Sequence, residues 1–211
     1  MRTPTTDHPV FYHPVIPLVT VRSMNDVDVI GDGLVDGGLP VAEVALRSKH
    51  AVDAIRHLSA RGDVLVGAGT VLTVAQAEEA LDAGARFVVT PGLDPDVVRH
   101  VLAAGVPIIP GVLTPTEVQA AARMGLNRVK LFPADAVDAA ACLRAYASVY
   151  PAMRFMPSGG IELANVTRYL SFTSVFAVSG SWIPAVVHDG AGSVAGACRA
   201  AVAASEAARP R

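Results

Sequence analysis

The chain has 211 residues, a net charge of −2, 52% apolar residues and 17% charged ones. This suits one well-buried globular domain spanning 1–211 and excludes a disordered chain, and so small a charge gives no reason to expect nucleic acid or an anionic membrane as a partner. No apolar run approaches the roughly 20 residues of a membrane helix, and prolines and polar residues break up "MRTPTTDHPVFYHP" where a signal peptide needs an apolar core, so a cytoplasmic protein is expected.

Residues 1–12 read as an arm or short extra helix. After them, short β-branched apolar runs alternate with Ala-rich helical patterns. The strand candidates are "VIPLVTV" from Val15, "VAEVALR" from Val41, "VLVGAGT" from Val64, "RFVVTP" from Arg86 and "VPIIPGV" from Val106. They continue with "RVKLFP" from Arg128, "RFMPSGG" from Arg154 and "SVFAVSG" from Ser174. Between them, "TVAQAEEALDAGA", "DPDVVRHVLAAG" and "TPTEVQAAARMG" open on capping residues, Thr73, Asp94 and Thr114 or Thr116, and close on Gly84, Gly105 and Gly125. Successive strands start about 20 to 27 residues apart, the length of one βα unit. Eight such units predict a single-domain α/β protein, a (β/α)8 TIM barrel. A doubly wound open sheet is the competing arrangement. "ACRAAVAASEAA" reads as a closing helix.

Side chains alternate across a parallel strand. In "VAEVALR" the face Ala42, Val44, Leu46 is wholly apolar and suits the helix layer, so Glu43, Ala45 and Arg47 are expected to point inward. A buried carboxylate and guanidinium must be paired or used, so Glu43 and Arg47 read either as an ion pair fixing the barrel or as chemistry. By the same parity Lys130 and Phe132 point inward, opposite Val129 and Leu131. Lys130 and Lys49 are the only two lysines in the chain. A lysine in a dry site beside another cation, here Arg47, has its neutral form favoured, whereas an ionised Glu43 works the other way. A neutral amine can attack a ketone and form a Schiff base.

"GAGTV" places Thr70 at the mouth of the third strand, and Pro91 and Pro110 stiffen the rim after the fourth and within the fifth. "PSGGI" and "SGSW" follow the last two strands, where many such barrels bind phosphate through backbone N–H groups. The six histidines show no metal-ligand spacing and read as surface or helix-packing residues. Cys142 and Cys198, far apart and outside any CxxC pair, read as free thiols.

Taken together, "VAEVALRS", "VGAGTVLT", "FVVTPG", "PIIPGVLTPTE", "VKLFPA", "PSGGI" and "SGSW" run in the order of a known family. From about Val15 to Trp182 the chain resembles the lysine-dependent 2-keto-3-deoxy-6-phosphogluconate (KDPG) and 4-hydroxy-2-oxoglutarate aldolases. The resemblance implies a (β/α)8 barrel, a homotrimer and no metal or organic cofactor. It implies cleavage of a phosphorylated 2-keto-3-deoxy sugar acid to pyruvate and an aldehyde. Lys130 would form the Schiff base and Glu43 would be the general acid/base. Arg47 and Thr70 would hold the substrate carboxylate, Pro91 and Phe132 would line the pocket, and Gly159, Gly160, Gly180 and Ser181 would bind phosphate. Two positions depart from the family pattern. Ser158 stands where threonine is usual, facing substrate hydroxyls, which leaves the galactonate epimer or 4-hydroxy-2-oxoglutarate as alternative substrates. Ser179 stands where glycine is usual, and is expected to narrow the phosphate site or alter its loop. Outside this class, the alternative is a barrel that binds a sugar phosphate without Schiff-base chemistry.

Overall fold

The computed structural model describes residues 7–208. Of the predicted arm, 1–6 lie outside the described residues, and Pro9–Tyr12 form a 3-10 turn capped by the His8 side chain, which accepts from the Val10 N–H. The first half of the chain alternates β1 (Val15–Val19), α1 (Asn25–Asp36), β2 (Val41–Ala45), α2 (Ala51–Arg61), β3 (Leu65–Gly69), α3 (Val74–Asp82), β4 (Val88–Val89) and α4 (Pro95–Ala103). The second half runs β5 (Ile108–Ile109), β6 (Gly111–Val112), α5 (Pro115–Arg123), β7 (Arg128–Leu131), α6 (Ala139–Val149), β8 (Arg154–Pro157), α7 (Leu163–Leu170), β9 (Val178–Gly180) and α8 (Ala191–Ala208).

This is an α/β fold built on a curled parallel sheet. All five residues of β1 and of β2 are buried, as expected of parallel strands covered on both faces. Every pairing is parallel, in a six-stranded sheet of order β5-β4-β3-β2-β1-β9 and a three-stranded sheet of order β6-β7-β8. Two isolated bridges, Phe155 with Val175 and Ser158 with Ser179, run between the β8 and β9 regions.

Eight strands were expected, and the described residues form nine. Pro110, with no N–H to donate, divides the fifth into β5, which pairs with β4, and β6, which pairs with β7. The Pro110 carbonyl still accepts from the Lys130 N–H at 2.8 Å. The last strand is shorter than "SVFAVSG" suggests, because only Val178–Gly180 lie alongside β1.

Thr73, Asp94 and Thr114 cap α3, α4 and α5 through their side chains, and Glu117 completes a reciprocal capping box with Thr114. The glycines that follow these helices take positive φ. Helix α8 packs closely on α1. A Cβ added to Gly33 would fall 2.4 Å from Val194 Cβ, and one on Gly37 would fall 2.3 Å from Cys198 Cβ, so the small residues set the helix spacing. Burial there pushes the free Cys198 thiol up to about 11. No helix among the described residues is long and apolar enough to cross a membrane. At the start of β7, the Arg128 guanidinium lies 4.1 Å from the Phe11 ring centroid, and Phe11 meets Phe176 edge-on at 5.8 Å. The 3-10 turn is thereby tied to the strand that carries Lys130.

Candidate active site

Register decides which side chains can meet. Glu43 on β2 lies opposite Leu18 of β1 and Gly67 of β3. Lys130 on β7 lies opposite Gly111 of β6 and Met156 of β8. Both side chains are buried, Glu43 at 0% exposure and Lys130 at 2%; among the described residues the other buried polar side chains are serines and Thr90. They meet, with Lys130 Nζ 3.5 Å from Glu43 Oε1. A carboxylate and an ammonium removed from water need each other and further hydrogen bonds.

The carboxylate is held unsymmetrically. Oε2 accepts a hydrogen bond from the Ser179 hydroxyl at 3.0 Å, whereas Oε1 has no hydrogen-bond partner. Room for the carboxylate comes from β3, where a Cβ on Gly69 would fall 2.5 Å from Oε1. Lys130 Nζ also sits 5.0 Å from the centroid of the Phe132 ring, within cation–π range.

Arg47 is placed differently from the parity argument. Strand β2 ends at Ala45, the Arg47 N–H turns back to the Ala45 carbonyl, and the side chain is exposed. Alternation holds only while the strand continues. Arg47 is therefore not the dry cationic neighbour expected beside Lys130; the charged side chain in contact with Lys130 is Glu43. At the rim, Arg47 Nε donates to Thr70 Oγ1 at 3.0 Å. Thr70 has φ +58, the one non-glycine residue with positive φ among those described. For a β-branched residue that is a strained conformation of the kind found at functional sites. It puts Oγ1 where it orients the guanidinium.

Pro91 follows β4 and its carbonyl presses on β6, because a Cβ on Gly111 would meet it at 2.1 Å. Ser158 is 1% exposed. Its N–H donates to the Leu131 carbonyl and its carbonyl accepts from the Ala134 N–H, at 3.0 and 2.8 Å. The two glycines after it take φ +90 and +67, the left-handed region. A Cβ on Gly160 would strike the Asp135 side chain at 2.5 Å, so this loop lies tightly over the segment that follows β7. The glycines do not open α7 directly. The helix begins at Leu163, and Asn165 links back by accepting from the Glu162 N–H and donating to the Gly160 carbonyl. Gly180, the last residue of β9, is packed beneath Trp182 and the Ile161 carbonyl.

Ser181 and Arg47 line one cleft of about 350 Å³, together with Thr20 and Arg22 beyond β1 and with Pro184 and His188. Neither Lys130 nor Glu43 is part of its lining. Sequence reasoning did not assign Thr20 or Arg22, which lie in the irregular segment after β1. It also missed that Ser179, within β9, faces Glu43 and donates a hydrogen bond to it. The alternation that oriented Lys130 would have oriented Ser179 as well. Among the described residues no three His, Cys, Asp or Glu side chains gather as a metal-ligand cluster.

Residues 8–192 match the family model described as "KDPG and KHG aldolase". The chain is 46% identical over 170 residues to a 2-dehydro-3-deoxy-phosphogluconate aldolase of Treponema pallidum (strain Nichols), covering 80% of this chain and 81% of that protein. The crystal structure of the 2-keto-3-deoxy-6-phosphogluconate aldolase of Zymomonas mobilis ZM4 with 3-phosphoglycerate superposes with a TM-score of 0.88 at 34% identity, covering 95% of this chain and 97% of that one. A KDPG aldolase from Legionella pneumophila, with pyruvate captured as a covalent carbinolamine intermediate, superposes with a TM-score of 0.87 at 35% identity, covering 91% and 96%.

Proposed function

The chain belongs to the KDPG and KHG aldolase family, and within it we propose that Lys130 is the Schiff-base lysine and Glu43 its proton carrier. The protein is a class I aldolase that cleaves KDPG to pyruvate and glyceraldehyde 3-phosphate through a lysine Schiff base. The observation that carries the residue assignment is the buried contact of 3.5 Å between Nζ and Oε1, because an amine nucleophile must have a proton acceptor at hand.

The chemistry closes on these groups. Lys130 passes one proton to Glu43 and its neutral amine adds to the C2 carbonyl; a second amine proton and the proton held by Glu43 go to the carbonyl oxygen, which leaves as water, giving a protonated imine and an ionised Glu43. Glu43 takes the proton of the C4 hydroxyl. The C3–C4 bonding pair flows into the imine, giving an enamine and releasing glyceraldehyde 3-phosphate. The enamine C3 recovers a proton from Glu43. Water then hydrolyses the imine to pyruvate and the free amine. No proton is gained or lost over the cycle, and the imine spares the enzyme a free carbanion.

Arg47, oriented by Thr70, holds the substrate carboxylate, while Pro91, Phe132 and Ser158 shape the pocket. Gly159, Gly160, Gly180 and Ser181 take the phosphate, the position such loops hold in many barrels. Their backbone-lined turns favour a phosphorylated substrate over 4-hydroxy-2-oxoglutarate, which has no phosphate for them to bind. The two bridges between β8 and β9 and the continuity of β5 with β6 through Pro110 support a closed (β/α)8 barrel forming one domain. The family resemblance supports homotrimeric assembly, and a metabolic enzyme of this kind is expected in the cytoplasm.

Arg47→Ala is expected to raise KM for KDPG about 10- to 100-fold while lowering kcat less, the worth of a charge-assisted hydrogen bond to a carboxylate. Steady-state kinetics read the split, and an unchanged KM removes Arg47 from the site. The proposal as a whole is tested by borohydride reduction in the presence of pyruvate, followed by peptide mass spectrometry. A pyruvate-derived mass on Lys130 is expected. Pyruvate binding without any adduct would overturn the Schiff-base assignment and favour a barrel that binds sugar phosphates by other means.

A further inference from the structure

Glu43 is wholly buried, and an ionised carboxylate only accepts hydrogen bonds. Its terminal torsion is broad and close to two-fold symmetric, so nothing within the side chain itself distinguishes one oxygen from the other. Ser179 breaks that symmetry. Its hydroxyl donates to Oε2 at 3.0 Å, and Oε1 is left without a hydrogen bond, 3.5 Å from Lys130 Nζ. Ser179 is itself at 0% exposure and its backbone is fixed on both sides, lying opposite Ile16 of β1 and bridged to Ser158. It is a rigid donor on a different strand from both reacting groups.

We propose that Ser179 is a positioning residue for the aldol chemistry: it anchors Oε2 and thereby assigns Oε1 as the oxygen that carries the proton. This rests on the reading of Glu43 as the proton carrier. When Oε1 takes the proton of the C4 hydroxyl, Oε2 keeps its donor, so the carboxyl group stays in plane through the cycle. An apolar side chain at position 179 would leave Oε2 buried without a partner, and the carboxyl group would be free to turn away from the amine. Gly69 completes the arrangement, leaving space for Oε1 where a Cβ would fall 2.5 Å from it.

The test separates imine formation from proton transfer. In Ser179→Ala, the extent of borohydride trapping of Lys130 at equilibrium with saturating pyruvate is expected to stay at the wild-type level. Deuterium exchange into the pyruvate methyl group, followed by NMR, and kcat for KDPG are expected to fall together by about 3- to 30-fold, the range of one hydrogen bond to a charged group. KM should stay within about 2-fold, because the substrate contacts are untouched. Exchange and kcat at wild-type levels overturn the proposal. So does a parallel loss of trapping and exchange, which marks a general collapse of the site. If Ser179→Ala does not fold, Ser179→Gly, which only removes atoms, is read in the same way. A wild-type enzyme that forms no adduct at Lys130 defeats the Schiff-base assignment itself, an outcome distinct from any of these.

Discussion

Lys130→Ala is expected to lower retro-aldol turnover by about 10⁴- to 10⁶-fold, the scale on which loss of a covalent nucleophile acts. The reason is electronic. Without the amine no imine forms at C2, and the electrons of the C3–C4 bond have only a ketone to enter. In the proposed site, positioning by Arg47 and the phosphate loops does not replace that sink. The substitution also leaves Glu43 buried without its cation. Breaking a buried pair on one side is destabilising, so the melting temperature should fall with the activity. Lys130→Met keeps most of the side-chain volume and separates the two effects, losing the chemistry with less disturbance of packing. Stopped assays on both variants, run beside thermal unfolding, read the outcome. Turnover within a few-fold of wild type in either variant rules out the proposed nucleophile.

Glu43→Gln is expected to lower kcat by about 10²- to 10⁴-fold, the usual contribution of a positioned acid/base group. The amide has the shape of the carboxylate, and its oxygen can still accept from Ser179. It cannot carry a proton between the C4 hydroxyl and the enamine. Pyruvate should therefore still be trapped on Lys130 by borohydride, given time, while exchange of the pyruvate methyl protons slows with kcat. A Gln variant that cleaves KDPG at the wild-type rate would leave Glu43 as no more than the counter-ion of Lys130.

The contrast between Lys130 and Arg47 shows how far local pattern reaches. Lys130 lies within β7, flanked by Val129 and Leu131, both fully buried, and alternation alone turns it toward Glu43. Arg47 obeys the same alternation on paper, yet its strand stops two residues earlier. Where β2 stops depends on its partner: Ala45 pairs with Gly69, the Leu46 N–H still reaches the Gly69 carbonyl, and β3 then turns at Thr70. That limit belongs to two strands at once and is written in neither alone. Thr70 was legible as a rim residue but not as a left-handed one, since its branched Cβ argues against that conformation. Ser179 is the extreme case. Its partner lies 136 residues away in sequence, and only the folded sheet brings the two together. The division of the fifth strand is the opposite case, because the missing N–H of Pro110 was in plain view while its effect on the order of the sheets was not.

Lys130 is mounted on the three-stranded sheet and Glu43 on the six-stranded one. The 3.5 Å across which they face each other is also a distance between the two assemblies of strands. Neither sheet by itself contains both groups. In the proposed mechanism, activity is therefore a gauge of how the two sheets are seated against each other, sensitive to a displacement of about 1 Å that would leave every helix and strand intact.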